Sequence, residues 1–237
     1  MEEDDWFEVE AIEDNVFKIT EKHYLPRQRA NIWLLYDEEK SILIDSGLGI
    51  KSIRKFIESR FAVNQIIVIA SHCHFDHSGG LHEFEYVYCH EAEYEALKKG
   101  DELQLLSAPC YNAISERDFD IGRVFLSPYK VNPVPQIKSL KENDIIKNEN
   151  WSLTVIHMPG HSKGSILLYD KNKGIGFCGD IIYDGELYDS LPGSDIEEYR
   201  KTLKKLLEIP FIKLCPGHFQ ELDYNYIKEK IQLYLGN

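Results

Sequence analysis

Residues 66–80 read Ile66-Ile67-Val68-Ile69-Ala70-Ser71-His72-Cys73-His74-Phe75-Asp76-His77-Ser78-Gly79-Gly80, an apolar run that ends in a loop of metal-competent side chains. The first five residues suit a strand buried on both faces, as in the middle of a parallel sheet. The loop then follows H-x-H-x-D-H, with three imidazoles and one carboxylate between positions 72 and 77. In an extended segment His72 and His74 project to the same side and can reach one ion. Asp76 and His77 lie beyond a turn and can face a second ion nearby. Imidazole with carboxylate suits zinc, with iron or manganese as alternatives. A merely solvated loop has no need of this density, and α/β sheets hold their sites at strand ends. Cys73, between two of the histidines, is expected to point the other way, into the core.

Working outward, three later apolar runs end in the same manner. Residues 153–156 lead into His157-Met158-Pro159-Gly160-His161-Ser162, 175–178 into Gly179-Asp180, and 212–215 into Pro216-Gly217-His218. Glycine there lets the backbone turn tightly beside a site. The seven candidate ligands divide into His72, His74 and His161 for one ion and Asp76, His77 and His218 for the other, with Asp180 able to bridge. His157 reads as a satisfied core histidine. Tyr183, three residues past Asp180, and the loop lysine Lys163 are candidates for contact with substrate.

Further strands are predicted at 16–19, 32–36, 42–44, 86–89 and 165–169. Ile53, Phe56, Ile57 and Phe61 mark one helix, and 91–99, closed by Gly100, another. Ser194-Asp195-Ile196-Glu197 has the form of a capping box opening a helix with the stripe Ile196, Tyr199, Leu203, Leu206 and Leu207. A last helix carries Tyr224, Ile227, Ile231, Tyr234 and Leu235. The order predicts a single α/β layered domain over 1–237 with helices outside packed sheets. Between about 100 and 150, Pro109, Pro128, Pro133 and Pro135 break the periodicity, and the segment reads as an insertion or lid.

The 237 residues hold 27 Lys plus Arg against 40 Asp plus Glu, a net charge of −13. That balance, with no long basic run, excludes a nucleic-acid partner, whose phosphates need clustered cations. No apolar stretch approaches ~18 residues, so no transmembrane segment is expected. The acidic start, Glu2 to Asp5, reads as solvated. Five cysteines, at 73, 89, 110, 178 and 215, form no C-x-x-C pair and read as buried thiols. With no visible leader sequence, the cytoplasm is the expected location.

Asp45 after its strand, His72, His74, Asp76, His77, His161, Asp180 and His218 stand in an order that resembles the metallo-β-lactamase superfamily, over about residues 30–218. The resemblance implies a four-layer αββα sandwich with a two-metal site at one edge of the paired sheets. Arg29 to Leu34, Ser78 to Leu81, His157 to Ser162 and Gly179 to Gly185 further resemble the metallo-β-lactamase-domain acyl-CoA thioesterases of animals. The implied activity is that of a dinuclear hydrolase holding two zinc ions, with iron or manganese possible. In that reading a hydroxide held between the metals would attack the thioester carbonyl, with acyl-CoA the preferred substrate among small acyl thioesters and esters. Asp76 is then a catalytic residue as well as a ligand, placed to orient the hydroxide or accept its proton. Asp45 matches the family's first-motif aspartate, which orients a ligand histidine; a turn aspartate capping backbone N–H is the other reading.

Competing readings share the ligands. Hydroxyacylglutathione hydrolysis is one, counted against because only 19 residues follow His218, too few for a helical glutathione-binding domain. Lactone hydrolysis is another. An iron persulfide dioxygenase would use the first metal position alone, and a metal-binding scaffold would turn nothing over. β-Lactam resistance is disfavoured by the missing export signal, and RNA cleavage by the charge and the lack of a further nuclease domain.

Overall fold

The computed structural model describes residues 3–101, 103–106 and 129–236. A short turn of helix, α1 (Glu3–Trp6), leads into β1 (Phe7–Glu13), β2 (Val16–Glu21), β3 (Ile32–Leu35), β4 (Ser41–Ile44), helix α2 (Ile53–Arg60) and β5 (Ile66–Ile69). The single turn α3 (Phe75–Ser78), β6 (Tyr86–His90), α4 (Tyr94–Lys99) and β7 (Ile137–Leu140) complete the first half. The second half is β8 (Ile145–Lys147), β9 (Ser152–His157), β10 (Ile166–Asp170), β11 (Ile175–Gly179), α5 (Ile196–Leu206), β12 (Lys213–Pro216), β13 (Leu222–Asp223) and α6 (Tyr224–Leu235).

Strands β1 to β7 form one sheet in sequence order, antiparallel as far as β4 and parallel from β4 to β7. The second sheet runs β13-β12-β11-β10-β9-β8, with β11 and β12 parallel. The alternation within β4 explains the layering. Ile42 and Ile44 point between the sheets, where Trp33, Leu35 and Ile69 meet Leu153, Val155, Leu168 and Phe177. Leu43 points outward with Val68, under Ile53, Phe56 and Ile57 of α2 and Leu97 of α4. On the far face of the second sheet, Leu167 and Leu214 pack against Tyr199, Leu203 and Leu206 of α5 and Ile227 and Ile231 of α6. Three apolar layers therefore separate four structural ones, helix–sheet–sheet–helix, and strands buried on both faces read as continuous apolar runs.

Several elements depart from the sequence reading. Helix α5 is capped by Asp195, which accepts from Glu198 N at 3.0 Å, not by Ser194. Ser194 instead donates to the carbonyl of His161 at 2.6 Å. Ile196 is 47% exposed and leaves the apolar stripe, and Thr202 joins the buried face. The second half of the insertion or lid with short elements expected at about 100–150 holds two short strands that belong to the main sheets. Strand β7 extends the first sheet beside β6, and β8 edges the second beside β9. Residues 107–128 of that reading, with Cys110, lie outside the described residues; the other four cysteines are buried free thiols. No helix among the described residues is long and apolar enough to cross a membrane.

The sheets are also stitched at the edge where the candidate residues gather. Ile166 N donates to Ser71 O at 3.0 Å, Trp33 Nε1 to Pro216 O at 3.0 Å, and Ala30 bridges to His218.

Candidate metal centre

The C-terminal ends of β4, β5, β9, β11 and β12 deliver Asp45, the 71–77 loop, His161, Asp180 and His218 to one place. His72, His74 and His161 offer ligand atoms within 4.8 Å of one another, as do His72, His77 and Asp180, and Asp76, His77 and His218. His161 Nε2 lies 3.0 Å from His74 Nδ1. The Asp180 carboxylate stands between the groups, with Oδ2 3.5 Å from His161 Nε2 and 3.3 Å from His218 Nε2, and Oδ1 3.4 Å from His77 Nε2. Asp76 Oδ2 is 3.4 Å from His218 Nε2 and 3.7 Å from His77 Nε2.

The imidazoles other than His74 are each fixed from behind. His161 Nδ1 donates to Tyr188 O at 2.7 Å and His218 Nδ1 to Arg29 O at 2.8 Å. His77 Nδ1 donates to Asp45 Oδ2 at 2.8 Å. His72 Nδ1 donates to Ser71 Oγ at 3.0 Å, and Ser71 Oγ in turn donates to Asp45 Oδ2 at 2.8 Å. Asp45 also accepts from Ser71 N at 2.7 Å, so it both orients a histidine and holds a turn. With Nδ1 occupied, Nε2 is the atom of each of these four rings that aims into the centre and would meet a metal.

Buried polar atoms normally find partners. Here His72 Nε2, His77 Nε2 and Asp180 Oδ1 are buried without one. All three face the same centre, and a donor set of imidazole nitrogen and carboxylate oxygen fits one or two divalent ions. Electrostatics divides the groups further. Burial, with the neighbouring rings, holds His72 well below the usual imidazole range and His74 at about 3, so their nitrogens are neutral donors. Burial also opposes charge on His218, but Asp180 and Asp76 outweigh it and raise its pKa to about 10. The carboxylate of Asp180 is held well below its ordinary value, burial being outweighed by His218 and His77.

Close backbone packing makes the geometry possible. A Cβ on Gly217 would stand 2.3 Å from Asp180 Oδ1, and one on Gly79 would stand 2.1 Å from Leu48 O. Asp45 itself adopts φ +65°, a left-handed turn that aspartate tolerates better than most residues.

The centre opens into a cavity of about 570 Å³, lined on one wall by Tyr24, Arg27 and Gln28 and on the other by Tyr183, Glu186, Tyr188 and Leu191. Phe75, Leu106 and Phe219 add apolar surface beside His74, Asp76, His161, Asp180 and His218. The Tyr183 ring packs 5.4 Å from that of His218, and its buried hydroxyl finds no acceptor among the described residues. Lys163 is exposed and does not line this cavity; its carbonyl accepts from His157 Nε2 at 2.9 Å. His157 stacks on His90 at 3.9 Å, away from the ligand groups.

Sequence reasoning missed Ser71, Tyr188 and Glu93. Glu93 is buried behind the site, where Oε1 accepts from Ser162 Oγ and from Gly164 N at 2.8 Å. Only Ser71 carried a local signal, as the polar residue directly before His72.

The family model of the metallo-β-lactamase superfamily matches residues 25–218. The chain belongs to that superfamily. It is 36% identical over 230 residues to the acyl-coenzyme A thioesterase MBLAC2 of Bos taurus, covering 91% of this chain and 82% of the relative. Among solved structures, a metallo-β-lactamase family protein from Thermus thermophilus superposes with a TM-score of 0.72 at 17% identity, over 95% of this chain and 81% of its own. The protein TTHA1623, solved in a di-iron-bound form, gives 0.61 at 22% identity, over 86% and 94%.

Proposed function

We propose that this protein is a two-metal hydrolase of acyl thioesters, with acyl-CoA the preferred substrate and zinc the preferred metal. The observation that carries the hydrolase reading is the set of orphaned, buried polar atoms of His72, His77 and Asp180, the last of which lines a largely apolar cavity with His74, Asp76, His161 and His218. The choice of thioester is supported by similarity to the acyl-coenzyme A thioesterases across most of both chains.

His72, His74 and His161 would hold one ion, Asp76, His77 and His218 the other, and Asp180 both. Bound there, divalent cations supply Lewis acidity, lowering the pKa of a water toward ~7 and polarising the acyl carbonyl. The protein's own groups do the rest. The hydrogen bonds from four imidazoles to Tyr188 O, Arg29 O, Asp45 and Ser71 keep those rings aimed without reorganisation during turnover. Asp76 lines the cavity and would orient the attacking water and accept its proton. Burial raises the Tyr183 hydroxyl far above its ordinary pKa, so it stays protonated and can donate to the oxyanion that forms on the substrate. Tyr24, Phe75, Tyr188, Leu191 and Phe219 give an acyl chain apolar contact and exclude water from the reacting carbonyl.

The test is release of free thiol from a long-chain acyl-CoA by zinc-loaded protein, with a chelated control. Fast, chelator-sensitive release is expected. No release from a fully loaded sample would overturn the acyl-CoA assignment, and turnover of lactoylglutathione or a lactone instead would redirect it.

A further inference from the structure

One wall of the cavity has almost no backbone support. Residues 180–195 form neither helix nor strand. Within 184–190 the only backbone–backbone hydrogen bond among the described residues is Gly185 N to Tyr183 O at 3.0 Å. Yet this stretch supplies Glu186 and Tyr188 to the cavity, between Tyr183 and Leu191, and its Tyr188 carbonyl orients His161. A segment with so few ladder bonds is of low local stability unless something else fixes it.

Helix α6 is what fixes it. Tyr226, Lys230 and Tyr234 fall at i, i+4 and i+8, one stripe of a helix. Tyr226 donates its hydroxyl to Asp184 Oδ1, Lys230 Nζ donates to Gly185 O at 2.8 Å, and Tyr234 donates its hydroxyl to Asp189 Oδ2. The adjacent stripe, Ile227 and Ile231, is buried in the core under the second sheet. Tyr234 is held in turn, its ring edge-on to Tyr199 at 5.6 Å, and Arg200 of α5 donates to Leu235 O at 3.1 Å. The helix thus has one face in the core and one against Asp184, Gly185 and Asp189 of the irregular wall.

We propose that Tyr226, Lys230 and Tyr234 are positioning residues that latch the 184–190 wall against α6, and that this latch sets selectivity for long acyl chains. None of the three lines the cavity; they act through Tyr188 and Glu186. The selectivity rests on the thioesterase reading, whereas the latch itself does not.

The experiment compares the zinc-loaded parent with the triple variant Tyr226→Phe, Lys230→Met, Tyr234→Phe by two readouts. Limited proteolysis by chymotrypsin needs no thioester. Cleavage after Tyr188, which is 52% exposed, should speed by roughly tenfold or more, as expected for losing three side-chain bonds, while the buried strands β4, β5 and β11 stay uncut. Steady-state kinetics at saturating zinc should show a rise in KM of about tenfold for a long-chain acyl-CoA, little change for acetyl-CoA, and kcat within about twofold. Lys230→Arg, which keeps a donor, should stay near the parent in both. Unchanged cleavage after Tyr188 overturns the latch. Faster cleavage with equal KM changes for long and short chains overturns its role in selectivity. A parent that hydrolyses no thioester refutes the activity and with it the selectivity claim, while the cleavage rates still decide the latch.

Discussion

Glu21 should make stability fall as pH rises through neutrality, and the size follows from its surroundings. The side chain is 3% exposed, Oε1 accepts from Trp6 Nε1 at 2.9 Å, and Oε2 accepts from Leu48 N at 2.9 Å. Burial pushes the carboxyl from 4.5 up to about 7, against the pull of those two bonds. The folded state therefore holds this proton more tightly than the unfolded state. The stability so gained is complete below pH 4.5, is lost as the pH climbs toward 7, and changes little above. Integrated from pH 5.5 to 8, the loss is about 2 kcal/mol, at ~1.36 kcal/mol per pKa unit. Glu21→Gln does not titrate and keeps one acceptor, so its cost is a pH-independent quantity of about 1 kcal/mol. Urea denaturation of both proteins after chelation, at pH 5.5 and pH 8, isolates the effect, because other titrating groups cancel in the difference. The stability of the parent relative to the variant should drop by about 2 kcal/mol across that range. A difference constant to within about 0.5 kcal/mol would refute the reasoning, since it would mean that Glu21 titrates alike folded and unfolded.

Three further outcomes are expected. Asp180→Ala should lower metal occupancy at both positions, because one carboxylate serves both groups; two metals per chain by elemental analysis would contradict the bridging role. Tyr183→Phe should cut kcat/KM for a thioester by roughly 100–1,000-fold with metal content unchanged, as loss of one oxyanion donor does; parent-like kinetics would remove the hydroxyl from the reaction. Glu93→Ala should destabilise by about 2–4 kcal/mol in urea unfolding, since it leaves Gly164 N without an acceptor, leaves Ser162 Oγ with Ser165 Oγ alone and opens a cavity, and a neutral result would mean that water replaces the carboxylate.

How much could be read from the sequence depended on whether a residue's role is local. The inter-sheet strands were legible because burial on both faces leaves an unbroken apolar run, as at Ile66 to Ile69. The H-x-H-x-D-H loop was legible because no core or surface role calls for that density of imidazole. Strand β1 was missed, since its Glu8, Glu10 and Glu13 are exposed on an edge. Strands β7 and β8 were hidden for a similar reason, being short, largely exposed and flanked by the proline-rich stretch. The cap of α5 moved by one residue because Ser194 is taken by His161 O, a contact set by the tertiary fold. Glu93 and Tyr188 had no signal of their own. An acidic residue at the start of a helix and a tyrosine in a loop look ordinary until the chain brings Ser162 and His161 beside them.

The two candidate ligand groups are mechanically one device, and Asp45 is the reason. A single buried carboxylate at the end of β4 receives His77 directly and His72 through Ser71, so each group has one imidazole hung from the same strut. Asp180 closes the assembly from the other sheet, 3.4 Å from His77 Nε2 and 4.0 Å from His72 Nε2. The spacing of the two groups is therefore set by how the sheets register on each other rather than by any one loop. That register is fixed by the apolar layer around Ile42, Ile44, Leu168 and Phe177 and by the stitches from Ile166 N to Ser71 O and from Trp33 Nε1 to Pro216 O. A packing change in that layer would reach the site by moving Asp180 relative to Asp45. The continuous apolar runs that first suggested the fold are thus also what hold seven polar side chains within reach of one another.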